Sequence, residues 1–340
     1  MLKLLLFGYY GEGNLGDELL LRSLISVFGK NHKVGILTNK VNKGQKDDIV
    51  EFNKFSIEIL KGIRWTDVVI GGGGGIFQDK TSSKSFYYYL FIIFLSLLFK
   101  KKVYLIGQSF SPLKKRINGF LLRFFLNNVE KIYVRDTFSK SYLEKLGVKS
   151  EKIILSTDLA FLLDIPFPSR EEDKKILGIN LRKWGNLNLE NLNSTLETLI
   201  SKYDSFYFFS FQQEDSQFYE FLKDKFKKID LIEPQDPNFY DYYSSCRLFI
   251  GMRLHSCILS VLLGIPFIAI SYDEKVEAFC HDIRWEFIVK DFSWDKILCY
   301  VNEIEENYKD YKDYLLSKGK ILKEKAKEDI ANFEEVLCRL

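Results

Sequence analysis

Short apolar runs alternate with longer amphipathic segments along the first half of the chain. Six of these runs predict strands, at residues 2–7, 34–37, 68–70, 103–106, 132–134 and 153–155. Four segments with helical periodicity lie between them, at residues 18–27, 86–99, 117–127 and 138–146. This alternation of strand and helix predicts a parallel sheet with helices on both faces.

The second half repeats the pattern. Strands are predicted at residues 176–181, 206–211, 229–232, 248–250, 267–270 and 287–289. Helices are predicted at residues 190–202, 217–228, 254–263 and 275–280, and the tail from residue 294 reads as one or two charged helices. We therefore expect an α/β protein with two doubly wound, Rossmann-like domains that face a cleft.

The segment "LLDIPFPSREEDKK", residues 162–175, separates the two halves. Its two prolines and its charge run are typical of a linker. We expect an N-terminal domain at 1–165, a linker at 166–175 and a C-terminal domain at 176–320. The final helix, 321–340, is expected to pack back on the first domain.

Composition narrows the class of protein. The 340 residues are 46% hydrophobic and 28% charged, which is typical of a soluble globular protein. A net charge of only +3 gives no support for a nucleic-acid partner. The five cysteines lack metal or disulfide spacing, so we expect reduced thiols and a cytoplasmic location.

One apolar stretch raises the question of a membrane. "FYYYLFIIFLSLLF", residues 86–99, precedes three lysines and is shorter than the roughly 20 residues that a spanning helix needs. It is either a buried helix packed on the sheet or a partly exposed interfacial helix. The second interpretation would allow peripheral contact with the inner membrane face and suit a lipid-linked substrate.

The loop "GYYGEGNLGDE", residues 8–18, has the glycine spacing of a dinucleotide-binding turn. The second strand, however, ends in Thr38 and Asn39 rather than in the acidic residue that would hold an NAD ribose. Carboxylates at the start of the helix would also compete with a pyrophosphate. Either Asp17 simply caps the helix, or the loop binds a sugar through Asn14 and Asp17, which we favour.

A second glycine loop, "VVIGGGGGIFQDKTS", spans residues 68–82. Consecutive glycines let the backbone approach a ligand closely, and the polar residues after them can bond to hydroxyl groups. The predicted sugar-binding residues of the two loops are Tyr9, Asn14, Asp17, Gly73, Gln78, Asp79 and Thr81.

The second half places basic residues after two neighbouring strands. "GMRLH" contains Arg253 and His255, and "ISYDEK" ends in Lys275. Arginine and lysine bind carboxylate and phosphate groups, and histidine exchanges protons near neutral pH. In the first half, Arg135 of "YVRD" follows a strand and either binds an anion or pairs with Asp136.

Taken together, these stretches resemble the bacterial polysaccharide pyruvyl transferases of the cell-surface-anchoring type. The matching pieces occur in the family's order: "GYYGEGNLGDE", "GGGGGIFQD", "VRD", "STDLAF", "INLRKW", "GMRLH" and "ISYDEK". The resemblance implies a fold like that of GT-B glycosyltransferases. It also implies transfer of pyruvate from phosphoenolpyruvate, as a cyclic ketal, onto a hexose or N-acetylhexosamine. The family's typical acceptor is the N-acetylmannosamine of a lipid-linked cell-wall polysaccharide precursor.

The resemblance also implies residue roles. The acceptor would bind to the N-terminal domain and the donor to the C-terminal domain. The family's basic donor-binding residues would fall on Arg253, His255 and Lys275, and also on Arg135, with Gly251 and Leu254 beside them. We predict that His255 is the catalytic acid and that Asp79 or Asp17 orients or deprotonates the acceptor. No metal-ligand spacing is present, so we expect no metal and no cofactor besides phosphoenolpyruvate as co-substrate.

Two other functions remain open from the sequence. A nucleotide-sugar glycosyltransferase of the same fold would use the second domain for a nucleotide diphosphate. A catalytically silent sugar-binding protein at the inner membrane face would not need His255. Two departures from the family pattern concern the pockets: "GQSFSPL" replaces the usual "GQGIGP", and Glu274 stands where the family has a proline.

Overall fold

The computed structural model describes residues 1–39, 49–79, 83–165, 174–182, 189–223, 229–290 and 293–340. The chain divides into two compact units. The first comprises Met1–Leu163 and Glu324–Leu340, and the second comprises Asp164–Lys323. Most of the predicted linker, residues 166–173, lies outside the described residues.

The first unit is a parallel α/β unit. Its described strands are β1 (Lys3–Phe7), β2 (Lys33–Thr38), β3 (Ile49–Asn53), β4 (Val68–Gly74), β5 (Lys102–Gln108), β6 (Lys131–Val134) and β7 (Ile153–Leu155). The helices of this unit are α1 (Leu15–Phe28), α2 (Glu58–Trp65), α3 (Ser83–Leu98), α4 (Arg116–Leu126) and α5 (Thr137–Leu146). The sheet order is β3-β2-β1-β4-β5-β6-β7.

The central strands are apolar because helices cover both faces of the sheet. In β1 the residues from Leu4 to Phe7 are all fully buried, and β4 is buried along its whole length. A strand buried on both faces has no alternation of polar and apolar positions. This explains why these strands were visible in the sequence as continuous apolar runs.

Strand β3 and helix α2 were not predicted from the sequence. In β3 only Phe52 is buried, because this strand lies at the edge of the sheet and pairs with β2 alone. It therefore lacks the apolar run that marks the central strands. Helix α2 has only eight residues, fewer than the 10 to 12 over which helical periodicity is recognisable.

The second unit has the same architecture. Its described strands are β8 (Ile176–Asn180), β9 (Ser205–Phe209), β10 (Ile229–Ile232), β11 (Leu248–Gly251), β12 (Phe267–Ile270) and β13 (Ile288–Val289). Its helices are α6 (Leu189–Ile200), α7 (Gln213–Lys223), α8 (Phe239–Ser245), α9 (Leu254–Leu263), α10 (Glu274–Ile283) and α11 (Trp294–Glu306). The parallel sheet has the order β10-β9-β8-β11-β12-β13, and α8 is the one described helix of this unit that the sequence pattern did not predict.

The last helix, α12 (Tyr308–Cys338), begins in the second unit and ends in the first. Its final turns are anchored by Phe333, which is fully buried against the rings of Phe28, Tyr104 and Tyr133 at centroid distances of 5.0–5.8 Å. Next to it, Glu334 lies 2.8 Å from Nε2 of His32. In the described part of the chain, no helix combines the length and apolar character needed to cross a membrane.

Candidate functional sites at the carboxyl ends of the two sheets

Each sheet has a point at which its strand order reverses. In the first unit it lies between β1 and β4, and in the second between β8 and β11. Doubly wound sheets bind ligands beside such a point, outside the carboxyl ends of the strands. The predicted site residues follow these strands or their neighbours, so each unit has one candidate site.

The loop after β1 uses its polar groups to fix its own shape. Asn14 caps α1, because its Oδ1 accepts a hydrogen bond from the backbone N–H of Gly16 at 3.0 Å. Glu18 accepts the N–H of Gly11 at 2.7 Å, and Glu12 lies 2.6 Å from the ammonium of Lys54. The cap is therefore Asn14 rather than Asp17, and Asp17 stands half-buried in the first turn of α1.

The glycine run at the end of β4 is required by the packing of α1. A Cβ atom at Gly73 would lie 2.6 Å from Cδ1 of Leu20, and one at Gly74 would lie 2.7 Å from Oδ1 of Asp17. Both glycines have φ of +79°, which side chains disfavour. The run thus lets the helix approach the strand and places the Asp17 carboxylate against the backbone of Gly74.

Asp79 is buried and holds the start of α4. Its carboxylate accepts hydrogen bonds from the backbone N–H groups of Lys114 and Lys115 and from Nδ2 of Asn118, at 2.8–3.2 Å. Burial favours the neutral acid, but these hydrogen bonds outweigh it and lower the pKa of Asp79. A lowered pKa makes this carboxylate a weak base, so the contacts favour a structural role over the predicted catalytic one.

Other predicted acceptor residues lie around the same edge. Tyr9 and Gln78 are half-buried, and the Tyr9 ring lies 5.6 Å from the Lys54 ammonium. Thr81 lies outside the described residues. Two further polar residues, Gln108 at the end of β5 and Ser109 directly after it, were not assigned to the site from the sequence.

Gln108 and Ser109 carry buried oxygens at this edge. Gln108 donates from Nε2 to the carbonyl of Gly73 at 3.1 Å, and the N–H of Ser109 bonds to the carbonyl of Gly74 at 2.9 Å. Within the described residues, Oε1 of Gln108 and Oγ of Ser109 have no hydrogen-bond partner. Buried oxygens of this kind are normally satisfied by water or a ligand. The polar residues of "GQS", at the end of the apolar run of β5, were the sequence feature that could have predicted this part of the site.

Arg135 is held by two carboxylates of its own unit. Its Nη1 lies 2.8 Å from Oδ2 of Asp158, and its Nε lies 3.9 Å from Oδ2 of Asp136. Asp136 also caps α5 through the N–H of Ser139, and Asp158 caps the short 3-10 helix Leu159–Leu162 through the N–H of Ala160. The ion pair of Arg135 with Asp158 therefore connects the segments that follow β6 and β7. These contacts favour a structural role for Arg135 over donor binding.

In the second unit, Arg253 and Asn180 connect the two strands that flank the reversal point. Arg253 donates its N–H to Oδ1 of Asn180 at 3.0 Å and its guanidinium to the buried carboxylate of Asp215. Asp215 also accepts the N–H of Phe211 at 3.0 Å and Nδ2 of Asn180 at 3.2 Å. Burial lowers the pKa of Arg253, but these contacts with Asp215 raise it above its ordinary value.

The other predicted donor residues lie beside Arg253. Gly251 ends β11 and is buried, while Leu254 and His255 form the first turn of α9 and are half-buried. Lys275 lies in the first turn of α10, with Nζ 4.0 Å from Oδ2 of Asp273. The carboxyl edge of this sheet therefore combines the cationic side chains of Arg253 and Lys275 with the amino-terminal ends of α9 and α10. Helix amino-terminal ends favour anions.

Arg182, which follows β8, joins this group and was not predicted. Its guanidinium carbon lies 5.4 Å from the centre of the Tyr272 ring, and its Nη2 lies 3.3 Å from Oε2 of Glu214. The Glu214 side chain is 60% exposed, so this ion pair is weak and can be exchanged for a ligand anion. The motif "INLRKW" could have predicted this residue from the sequence, since its arginine follows the end of a predicted strand.

Two comparisons concern the amino-acid sequence of this chain. Residues 14–274 match the family model described as polysaccharide pyruvyl transferase. A curated relative, the amylovoran biosynthesis protein AmsJ of Erwinia amylovora, is 25% identical over 252 residues. That match covers 63% of this chain and 60% of AmsJ.

Solved structures share the fold at low sequence identity. A UDP-GlcNAc 2-epimerase from Neisseria meningitidis, bound to UDP-GlcNAc, superposes with a TM-score of 0.67 at 15% identity. Anabaena Alr3699/HepE, in complex with UDP and glucose, superposes with a TM-score of 0.66 at 10% identity. Each comparison covers 100% of both chains. The expectation of two Rossmann-like domains with a GT-B-like fold is thereby confirmed.

Proposed function

This chain belongs to the polysaccharide pyruvyl transferase family, and we propose on that basis that it transfers pyruvate from phosphoenolpyruvate to a saccharide. The product is a cyclic ketal on a hexose or N-acetylhexosamine, with release of phosphate. The acceptor to test first is the N-acetylmannosamine of a lipid-linked cell-wall polysaccharide precursor.

The observation that supports this donor is the group of cations at the carboxyl edge of the second sheet. Phosphoenolpyruvate carries a carboxylate and a phosphate, and Arg182, Arg253 and Lys275 supply three positive charges at neighbouring strand ends. Arg253 is held in place by Asp215, whereas Arg182 can exchange the exposed Glu214 for the ligand. We propose that the fixed guanidinium of Arg253 positions the donor and that Arg182 forms a new ion pair with the donor when it binds.

The chemistry needs one acid and one base. A hydroxyl of the sugar adds to C2 of phosphoenolpyruvate while His255 gives a proton to C3, which becomes a methyl group. The C2–O bond to phosphate then breaks, and a second hydroxyl forms the other C2–O bond of the ketal. The two sugar hydroxyls release two protons. One returns to His255, in place of the proton that it gave to C3, and the other leaves with the phosphate.

The first unit is the proposed acceptor domain. Asp17 stands half-buried beside the backbone of Gly74, where a carboxylate can accept a hydrogen bond from a sugar hydroxyl. We propose Asp17 as the residue that orients or deprotonates the acceptor, because the Asp79 carboxylate is engaged by the start of α4. The buried side-chain oxygens of Gln108 and Ser109 lie at the carboxyl end of β5 and would bond to water or to a sugar hydroxyl.

The test is thermal unfolding of the full chain with millimolar phosphoenolpyruvate, with a UDP-sugar and without ligand. A ligand that binds only the folded state raises the midpoint in proportion to RT ln(1 + [L]/Kd). We expect phosphoenolpyruvate to raise it and Arg182→Ala to weaken that effect. Lys202→Ala, which removes an exposed lysine two residues after the end of α6, should leave the effect unchanged.

Transfer is tested separately from binding. Incubation with phosphoenolpyruvate and an N-acetylmannosamine glycoside should release phosphate and yield the ketal, detected by mass spectrometry. His255→Gln should bind phosphoenolpyruvate and release no phosphate. A midpoint shift with the UDP-sugar alone would favour the nucleotide-sugar glycosyltransferase instead. No shift and no turnover with phosphoenolpyruvate would contradict the proposal.

A further inference from the structure

Helices α3 and α4 carry an apolar surface that the sheet does not cover. Six side chains form this aromatic face: Phe91, Phe94, Leu98, Ile117, Phe120 and Phe124. They are 45–65% exposed, whereas Phe86 and Ile93 on the other side of α3 are fully buried in the core. Among the described residues, four of the five exposed phenylalanines belong to this face, the fifth being Phe55.

The six side chains form two adjacent stripes rather than scattered positions. Phe91, Phe94 and Leu98 follow one another at helical spacing on α3, as Ile117, Phe120 and Phe124 do on α4. The helices pack side by side: the ring centroids of Phe94 and Phe125 are 6.5 Å apart, and the Tyr87 hydroxyl donates to Oδ1 of Asn118 at 2.7 Å. The two stripes therefore lie next to each other on the first unit.

The surroundings of the aromatic face are basic. Residues 80–129 contain nine lysines and arginines and no aspartate or glutamate. Lys84, Lys100, Lys115, Arg116 and Arg123 are exposed on or beside the two helices. The whole chain has a net charge of only +3, so the rest of the molecule is net acidic and the positive charge is concentrated here.

We propose that the aromatic face docks on the surface of an anionic lipid bilayer. Its apolar side chains enter the boundary between headgroups and acyl chains, and the surrounding basic side chains contact lipid phosphates. A second copy of the chain fits less well, because a symmetric dimer through this face would bring the two basic surrounds together. Docking would hold the proposed acceptor domain where a lipid-linked saccharide is found, although docking itself does not depend on the reaction.

The experiment is flotation of the full chain with vesicles, without donor or acceptor. Vesicles of phosphatidylcholine and phosphatidylglycerol in a three-to-one mixture are compared with pure phosphatidylcholine. We expect binding to the mixed vesicles that is weakened by salt, since salt screens charge attraction. Phe120→Ser combined with Phe124→Ser should reduce the partition coefficient by at least about tenfold.

Matched variants separate docking from general stickiness. Ile200→Ser with Ile321→Ser removes two exposed apolar side chains from the second unit and should leave binding unchanged. Lys100→Gln, Lys115→Gln and Arg116→Gln together should abolish the preference for phosphatidylglycerol. The same change at Lys309, Lys320 and Lys327, three exposed lysines of α12, should preserve it.

Three results would overturn the proposal. They are no flotation of the wild-type chain with the mixed vesicles, equal flotation of the phenylalanine variant and a dimer that this variant dissociates. Transfer to a soluble acceptor is measured without vesicles, so failure of docking and failure of the proposed reaction are distinguishable.

Discussion

Asp215 and Arg253 form a two-point ion pair, with Nη2 of the guanidinium 2.6 Å from Oδ1 and Nε 3.2 Å from Oδ2. The Asp215 side chain is fully buried, and the Arg253 side chain is 11% exposed. The pair fixes the guanidinium at the end of β11 before any ligand binds. Arg253 is therefore a pre-positioned group rather than a mobile surface cation.

Removal of Asp215 should destabilise the second unit. In Asp215→Ala the guanidinium of Arg253 is left buried without its carboxylate, and we expect the free energy of unfolding to fall by about 3–5 kcal/mol. Glu214→Gln is the matched control, because this neighbouring carboxylate is exposed and its loss should cost no more than about 1 kcal/mol. Urea unfolding measures both, and equal stabilities for the two variants would contradict the structural role of the pair.

The contribution of Asp79 to stability should depend on pH. Its folded-state pKa lies below the value of 3.8 for an unperturbed aspartate, because hydrogen bonds from Lys114, Asn118 and Lys115 outweigh burial. Ionised Asp79 therefore stabilises the fold above about pH 4, and this stabilisation is lost as the pH falls through the folded-state pKa. The difference in urea midpoint between wild type and Asp79→Asn should be full at pH 7 and shrink toward pH 3. A difference that grows on acidification would show that the sign is wrong.

Two glycines with similar backbone angles should respond differently to alanine. Gly13 and Gly74 have φ of +72° and +79°, but a Cβ atom at Gly13 meets nothing within 4 Å. We expect Gly13→Ala to cost about 1–2 kcal/mol of backbone strain and Gly74→Ala to cost more, because its Cβ displaces Asp17. Thermal unfolding compares the two variants, and acceptor binding should fall only in Gly74→Ala. Equal costs would mean that the Asp17 carboxylate moves aside freely.

The five thiols should differ in reactivity. Cys246, Cys257 and Cys280 are buried, and Cys299 and Cys338 are exposed. Burial raises the pKa of Cys257 to about 12, so it has almost no reactive thiolate at pH 8. Iodoacetamide should modify Cys299 and Cys338 in the native protein and all five thiols after denaturation, as peptide mass spectrometry would report. Rapid native labelling of Cys257 would contradict the buried position of α9.

Strands in the middle of the sheets were predictable because each is marked by a continuous apolar run within its own few residues. Leu248–Gly251 and Phe267–Ile270 are apolar runs that need no distant information to be recognised. The edge strand Ile49–Asn53 was not predictable in this way, because it has one open edge and only Phe52 of its five residues is buried, so no apolar run marks it. The positions of the glycine loops and of "GMRLH" followed from the strand ends that precede them.

The partners of the charged residues were decided by the tertiary structure. Arg135 pairs with Asp158, 23 residues away, and Arg253 pairs with Asp215, 38 residues away. These contacts depend on which strands are neighbours and on the course of each loop, neither of which appears in residue spacing. The sequence by itself determined two α/β units and the loops that carry polar residues. Only the fold decided which of those residues are held by one another and which apolar side chains of α3 and α4 remain exposed, because burial depends on what packs against each helix.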